Sequence, residues 1–314
     1  MLAINRRKFA QKSILGTAGL LMTDCYAQET NKEKDGPGKI SKTDTHVHFF
    51  DLDQFDYHWL KNAPEINRIF SIKDFQEASK KSNISKILFV ESGAASGSGI
   101  EEAGWVSSLS EKDPRVKGII ANLDISQGKI VSSDLQRLTK LTLVKGIRTG
   151  FPQDAHESTS FMDGLNLLAA NHLSYDINVP YHQLSNATKL IRKCPNNTFV
   201  LDHMGNPNIK EGEMEIWKVG IKQISELPNV FCKVSGIITK SGKDWTTSLL
   251  EPYFMQVMES FGVERLMYGG DWPVVLLAGS YLSWSLAFED LTKGLSNNEL
   301  LQIYNRNADR IYQL

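Results

Sequence analysis

Short strand-like segments alternate with amphipathic helical segments along residues 40–314, and this alternation constrains the fold more than any other feature of the sequence. The apolar centres of the strands, such as Ile87–Val90, are short and continuous, which is typical of parallel strands covered on both faces. Helical spacing follows in between, as in Trp217, Ile221 and Ile224. Eight β-then-α units predict a single-domain (β/α)8 TIM barrel. The predicted strands are Ile40–Phe49, Ile84–Glu91, Val116–Asp124, Val144–Gly150, Ser174–Pro180, Thr198–His203, Val230–Ile237 and Arg265–Pro273.

An open doubly wound sheet is the alternative fold. It is disfavoured because no glycine-rich dinucleotide turn follows the first strand, and because eight similar units suit closure of the sheet. The segment Asn297–Tyr312 is predicted to form one extra helix packed outside the barrel. Barrels of this kind commonly reach the length of residues 40–314, so no second domain is needed.

Residues 1–27 have the pattern of an export signal. Asn5–Phe9 reads Asn-Arg-Arg-Lys-Phe, a twin-arginine motif, and the apolar run Ile14–Met22 is too short to span a bilayer. We therefore expect a Tat-type signal peptide cleaved after Ala27 and a periplasmic protein. Two alternatives are lipid anchoring at Cys25, whose preceding residue is a poor match to a lipoprotein motif, and a chance basic start of a cytosolic protein.

The composition excludes several classes of partner. Without residues 1–27 the chain carries 31 basic and 35 acidic side chains, so it lacks the positive charge that binds nucleic acid or anionic membranes. No integral membrane segment is predicted in the mature chain, and residues 28–39 read as a flexible polar spacer. Cys194 and Cys232 allow a disulfide but do not indicate one. The oligomeric state is not indicated by the sequence.

Polar side chains collect at the predicted C-terminal ends of the strands, where barrel enzymes hold their active sites. Four of the seven histidines fall there. These residues are His46, His48, Glu91, Asn122, Asp124, Arg148, His182, Asp202, His203, Lys233, Ser235 and Asp271.

His46 and His48 form an HxH pair on one strand. Alternation sends both side chains to the same face, about 7 Å apart along the strand, so they could grip one divalent cation. Asp271, from the last strand, could add an oxygen ligand or act as a base. The alternative is that the histidines are buried core or capping residues.

Several sequence blocks, in order along the mature chain, resemble those of the amidohydrolase-related TIM-barrel hydrolases. The closest resemblance is to their sugar-lactonase branch, which includes L-fuconolactonase, L-rhamnonolactonase and 2-pyrone-4,6-dicarboxylate lactonase. The matching blocks are Asp44–Asp51 with Tyr57–Leu60, Lys145–Arg148, Leu201–Pro207, Cys232–Gly236, Arg265–Pro273 and Asn307–Tyr312.

The resemblance implies catalytic roles for three residues. Asp271 would take a proton from water; alternatively it caps a turn. His203 would polarise the lactone carbonyl or stabilise its oxyanion, or else orient another side chain. Arg148 would hold a substrate oxygen or carboxylate through its planar fork, or form an ion pair with Glu91 or Asp124.

The resemblance also implies one divalent metal, zinc, held by His46, His48 and Asp271. His182 would be a further ligand or would face the substrate from a loop. Arg148 stands where a bridging lysine would be needed, so a two-metal site is not expected. Members of the lactonase branch can also work without metal, in which case His46 and His48 would orient the substrate directly.

The substrate is expected to be a small molecule bound by Glu91, Tyr57, Trp59, His182 and Trp272. The aromatic residues suit stacking on a sugar ring, or else they pack as a lid. Because Arg148 is the only arginine at the strand ends, a largely neutral polyhydroxy lactone is favoured over a di- or tricarboxylate. The alternatives are a metal-dependent decarboxylase of an unsaturated acid and a catalytically inactive carbohydrate-binding protein.

Overall fold

The computed structural model describes residues 40–314, so the predicted signal peptide (1–27) and spacer (28–39) lie outside the described residues. Eight parallel strands form one sheet in sequential order, and helices alternate with them, which confirms the predicted (β/α)8 barrel. The strands are β1 Lys42–Val47, β2 Ile84–Val90, β3 Val116–Asn122, β4 Val144–Arg148, β5 Ser174–Ile177, β6 Phe199–Leu201, β7 Val230–Val234 and β8 Leu266–Tyr268. The helices after them are α1 Ile72–Ser79, α2 Gly99–Leu109, α3 Ser132–Thr139, α4 Thr159–Ala170, α5 Leu184–Lys193, α6 Met214–Ser225, α7 Thr247–Phe261 and α8 Tyr281–Thr292.

The barrel closes between β1 and the segment that follows β8. Val47 forms an isolated parallel bridge with Trp272. The Asp271 amide donates to the His46 carbonyl at 2.7 Å, and the His48 amide donates to the Trp272 carbonyl at 2.7 Å. Closure therefore places Asp271 beside both histidines of the HxH pair.

The core has two parts, as expected for a barrel. Helix residues such as Trp217, Ile221 and Ile224 are fully buried against the outside of the sheet, as their spacing predicted. A smaller cluster fills the inside of the barrel. It comprises Leu88, Val90, Ile120, Val200, Phe231, Met267, Ala308 and Tyr312.

The C-terminal segment differs from its prediction. It forms α9 (Asn297–Leu301), a π-helical turn (Gln302–Arg306) and α10 (Asn307–Tyr312). Ala308 and Tyr312 belong to the cluster inside the barrel, so α10 packs against the barrel interior rather than outside the barrel. The Tyr312 hydroxyl donates to Asp176 in β5 at 3.1 Å, a long-range contact that a helical periodicity cannot reveal.

Two smaller expectations also meet observations. Cys194 and Cys232 are both buried free thiols. None of the helices within residues 40–314 is long and apolar enough to cross a membrane.

Candidate active site

A cavity of about 700 Å³ lies at the C-terminal ends of the strands, and its volume is typical of small-molecule sites. Side chains at or beyond the ends of seven strands, all but β3, contribute to its wall. Five of the predicted site residues are among them: His48, Trp59, Arg148, His203 and Asp271. His46 and Glu91 lie directly behind the wall, where both are buried.

Besides Glu91, three predicted substrate-binding residues do not line this cavity. Trp272 is buried among aromatic rings, with Phe75 at 5.3 Å between ring centroids. Tyr57 is buried against Phe50 at 5.4 Å. His182 is exposed, with its ring 5.5 Å from that of Tyr181, and it is absent from the clusters close enough to share a metal. Tyr57 and Trp272 therefore fit the lid-packing alternative, and substrate or metal contacts through these three side chains have no support in the structure.

His48 is oriented by the neighbouring strand. Its Nδ1 lies 2.8 Å from the Val90 carbonyl oxygen, and a carbonyl can only accept, so Nδ1 carries the proton. Nε2 is then left with a bare lone pair, 3.7 Å from Asp271 Oδ1. This orientation is the one that metal-binding histidines generally receive from an outer hydrogen-bond acceptor.

His46 is fully buried, and burial lowers its pKa well below the ordinary value, so the ring is neutral. Its Nδ1 lies 3.3 Å from Asp202 Oδ1, and its Nε2 lies 3.8 Å from Asp271 Oδ1 and 3.4 Å from Arg148 Nη1. Burial works to raise the pKa of Asp202, but Lys233, His46 and Arg148 together hold it well below its usual range. An ionised carboxylate beside Nδ1 favours the proton there, although the pair is not aligned as a full hydrogen bond. Nε2 of His46 then carries no proton, and it accepts a hydrogen bond from Arg148 Nη1 at 3.4 Å.

Four residues at the site adopt left-handed backbone conformations that side chains other than glycine rarely take. Their φ angles are 53° at His203, 54° at Met204, 50° at Asn206 and 55° at Asp271. Such conformations are each unfavourable by roughly 1–3 kcal/mol and persist only where the surroundings impose them. They turn the chain sharply after β6 and after β8, and both turns bring a side chain to the cavity wall.

Asp44 secures the turn after β8. Its carboxylate accepts from the Gly270 amide at 2.7 Å, the His46 amide at 3.0 Å and the Tyr281 hydroxyl at 2.6 Å. A Cβ at Gly270 would lie only 2.3 Å from the Tyr281 ring, so only glycine fits there. Burial raises the pKa of Asp44 to about 6, although these hydrogen bonds act to lower it.

The electrostatics keep Asp271 ionised. Burial works to raise its pKa, but the imidazoles of His203, His48 and His46 bring it down to about 2. Burial lowers the pKa of His203, whose Nδ1 lies 2.9 Å from Ser235 Oγ. In the tautomer in which Ser235 donates to Nδ1, the other ring nitrogen carries a proton that it can donate. The site thus combines a proton acceptor with a neutral donor.

One set of side chains fits a divalent metal ion. The ligand atoms of His46, His48 and Asp271 all lie within 4.8 Å of one another. Two unprotonated imidazole nitrogens and an ionised carboxylate form a ligand set that suits zinc, once His46 Nε2 exchanges its hydrogen bond from Arg148 for the ion. The separations of 3.7 and 3.8 Å to Asp271 are near the roughly 3.4 Å that ligand atoms have in a tetrahedral zinc site.

A second cluster, His46, Asp202 and His203, does not suit a second ion. The Asp202 oxygens already face Lys233 Nζ at 3.1 Å and Arg148 Nη1 at 3.3 Å. Both oxygens of Asp202 are thus already paired with positive side chains, which leaves this carboxylate a poor ligand for a further cation. The predicted absence of a two-metal site therefore has a physical basis at Asp202 as well as at Arg148.

Arg148 is largely engaged within the protein. Its Nε donates to Glu91 Oε1 at 2.6 Å, its Nη2 to the Glu91 carbonyl at 2.7 Å and its Nη1 to Asp202 Oδ2 at 3.3 Å. The ion-pair alternative is thus present with Glu91, whereas Asp124 bonds the start of the next helix through Ser126. Little of the guanidinium fork remains for a substrate carboxylate, even though Arg148 lines the cavity.

The sequence interpretation missed the polar residues on one side of the cavity. They follow β5, β6 and β7 and comprise Asn178, Tyr181, Asn206, Asn208, Thr239 and Lys240. Asn206 donates to Asn178 Oδ1 at 2.9 Å, which links two of these loops. Their position a few residues beyond predicted strand ends is the signal that could have found them.

The chain is similar to known proteins in both sequence and structure. The sequence model of the amidohydrolase family matches residues 43–314. L-fucono-1,5-lactonases of Burkholderia ambifaria and Burkholderia multivorans are 25% and 26% identical, and each alignment covers 87% of this chain and 96% of the relative. A crystal structure of an amidohydrolase from Burkholderia multivorans with bound zinc is 24% identical, with a TM-score of 0.78 over 88% of this chain and all of the other.

Proposed function

This chain belongs to the amidohydrolase family, and from that premise we propose that it hydrolyses the lactone of a sugar acid. One observation carries the proposal: the ionised Asp271 stands beside His46 and His48 at the wall of a 700 Å³ cavity. Two aligned relatives are L-fucono-1,5-lactonases over nearly their whole length, which supports a lactone as the substrate.

Asp271 is the proton acceptor. As water attacks the lactone carbonyl carbon, Asp271 takes one proton from it, and a tetrahedral intermediate forms. The bond between that carbon and the ring oxygen then breaks, and the proton passes from Asp271 to the departing oxygen. The products are a carboxylic acid and a free hydroxyl group on the same chain, so all atoms are accounted for.

The low pKa of Asp271 makes it a weak base for ordinary water, whose pKa is far higher. His46, His48 and Asp271 would hold one divalent metal, and we propose zinc because of the nitrogen-rich ligand set. A bound divalent ion would bring the pKa of water towards about 7 and so within reach of a carboxylate.

His203 and the Arg148–Glu91 pair orient the reacting groups. The neutral His203 ring, bonded to Ser235, donates to the carbonyl oxygen as negative charge develops on it. Arg148 holds Glu91 and Asp202 in place and presents only a remaining N–H to the cavity.

The cavity wall suits a neutral polyhydroxy compound. Asn178, Asn206, Asn208 and Tyr181 offer uncharged donors and acceptors for hydroxyl groups. Trp59 adds an aromatic ring on the opposite side, fixed by the bond from its Nε1 to the Ser92 carbonyl at 2.8 Å.

The twin-arginine pattern at Arg6 and Arg7 leads us to propose that the enzyme works in the periplasm. Cell fractionation of the full chain against a variant with both arginines replaced by lysine tests this. Equal amounts of both proteins in the cytoplasm would reject it.

The decisive test of the activity is a pH-indicator assay of the full chain against 1,4- and 1,5-lactones of aldonic acids. Acid release from a subset of lactones is the expected result. Silence across the panel, or release of carbon dioxide from unsaturated carboxylic acids instead, would overturn the proposal.

A further inference from the structure

Lys233 lies inside the barrel, where a lysine is rarely found without a specific role. It is fully buried in β7, and it does not line the cavity. Its Nζ lies 2.5 Å from Asp176 Oδ2 and 3.1 Å from Asp202 Oδ1. One ammonium therefore joins two buried carboxylates on neighbouring strand segments.

These contacts continue in both directions. Upwards, Asp202 reaches His46 Nδ1 at 3.3 Å. Downwards, Asp176 accepts from the Tyr312 hydroxyl at 3.1 Å, and Tyr312 is in the last helix. We call the set Tyr312, Asp176, Lys233 and Asp202 the buried ion column. It connects the C-terminal helix to the first histidine of the HxH pair.

The presence of such a column is weak evidence for a role in stability. Burying several charges carries a desolvation penalty that ion pairing often only offsets, and well-packed apolar side chains can stabilise a core equally well. The other buried lysine of a strand, Lys42, pairs with Glu289 at 2.5 Å and Ser285 at 3.0 Å on the side facing α8, away from the histidines. Lys233 therefore differs from Lys42 in that its contacts lead towards His46.

We propose that Lys233 is a positioning residue, whose ammonium fixes the Asp202 carboxylate against His46 Nδ1 so that His46 directs its Nε2 towards Asp271 and Arg148. Without the ammonium, Asp176 and Asp202 would be two like charges facing one another inside the barrel. The arrangement that relieves this repulsion moves or neutralises Asp202, and His46 then loses the ionised carboxylate 3.3 Å from its Nδ1. Tyr312 assists by holding Asp176 from below.

The consequence for turnover rests on the proposed function, but the orientation of His46 does not. The tautomer of His46 can be measured in metal-free, substrate-free full-length protein by long-range ¹H–¹⁵N spectra of ¹⁵N-histidine-labelled samples. The His46 signals are assigned by their loss in His46→Gln. A wild type that hydrolyses no lactone would count against the proposed function, whereas the tautomer tests the role of Lys233.

The main variant is Lys233→Met, and the matched control is Lys42→Met, which removes a buried lysine whose ammonium contacts Glu289 and Ser285 of α8 rather than Asp202. In wild type and in Lys42→Met we expect the proton on Nδ1 of His46. In Lys233→Met we expect this preference to be lost and kcat to fall about 10–100-fold, as for other residues that orient a ligand histidine, with little change in KM. Tyr312→Phe, which keeps the ring and loses the hydroxyl, should give a smaller fall of the same kind.

Lys233→Met leaves two carboxylates without their cation, so it can fail to fold. The double variant Lys233→Met/Asp176→Asn removes one charge of each sign and keeps the net charge inside the barrel. It should show the same loss of tautomer preference. A folded single or double variant with the wild-type His46 tautomer and wild-type kcat would overturn the proposal, and so would an equal loss of kcat in Lys42→Met.

Discussion

A Cβ atom placed on Gly236 would lie 2.5 Å from Nδ1 of His203 and 2.9 Å from Oδ2 of Asp271. Neither distance is tolerated by real side chains, so the glycine after β7 allows the proposed base and the proposed donor to stand together. Gly236 also has φ of 63°, which glycine adopts without strain.

Gly236→Ala should therefore impair turnover more than stability. We expect a fall in kcat of about 100-fold, the scale associated with displacing catalytic groups by about 1 Å. Gly242→Ala is the control, since Gly242 has a similar φ of 82° but open space where the methyl group would be. Both variants should lose about 1 kcal/mol of stability from the left-handed backbone. Equal kcat in the two variants would show that space at Gly236 is unimportant.

The strands were predictable because their apolar centres are short and continuous, whereas their C-terminal ends were not, since every predicted strand runs past the observed end. The predicted sixth strand, Thr198–His203, ends at Leu201, and the predicted eighth, Arg265–Pro273, ends at Tyr268. In both cases the omitted residues include a left-handed backbone at His203 or Asp271. Tertiary contacts impose that conformation, so the local sequence pattern gives no sign that the strand ends before it.

Site residues were predictable where a residue type suited to metal binding or catalysis falls at a predicted strand end, as for His46, His48 and Asp271. The direction of the Trp272 side chain was not predictable, because this residue follows the proposed base in sequence yet packs in the core. The partner of Lys233 could not be found either, because Asp176 lies on another strand and only barrel closure brings them together. Long-range pairing of this kind leaves no periodicity in one sequence.

Asp271→Asn should abolish hydrolysis while sparing binding. The amide keeps the shape of the side chain but cannot accept the proton, so we expect kcat to fall by about 10²–10⁴-fold with little change in KM. Asp290→Asn, on an exposed helix face, is the control and should leave both constants unchanged. A wild-type rate in Asp271→Asn would reject this residue as the base.

Chelation tests the metal. Dialysis of the full chain against a chelator should remove activity, and zinc should restore it, because the proposed ligands would then lose and regain the ion. Zinc at 100 times its Kd should also stabilise the fold by about 2.7 kcal/mol, which a thermal melt measures.

A variant pair locates the ion. His48→Asn should lose the zinc-dependent rise in Tm, and the exposed His172→Asn should keep it. Activity that persists through chelation would leave the lactonase in place and reject the metal, with His46 and His48 then acting on the substrate directly.

Lys240 should affect the binding of the product more than the binding of the substrate. It lines the cavity, no side-chain ion pair of Lys240 is present within residues 40–314, and its charge contributes to the lowered pKa of His203. Ring opening creates a carboxylate, and a charged hydrogen bond contributes about 1.5–3 kcal/mol. Lys240→Met should therefore weaken inhibition by the hydroxy-acid product about tenfold or more at low salt. The exposed Lys243→Met is the control, and equal inhibition constants in the two variants would contradict the contact.

Glu102 should make stability depend on pH. Burial, followed by the charge of Glu91, raises its pKa to about 8, whereas in the unfolded chain the pKa is about 4.3. The folded state therefore holds this proton more tightly, so the contribution of Glu102 is full below about pH 4.3 and is lost as the pH rises to about 8. Relative to Glu102→Gln, the free energy of unfolding of wild type should fall by about 1.4 kcal/mol per pH unit across that window.

Denaturant titrations at several pH values measure this slope, and Glu101→Gln, which alters the exposed neighbour, should run parallel to wild type. Parallel curves for wild type and Glu102→Gln would mean that Glu102 is ionised in the folded protein.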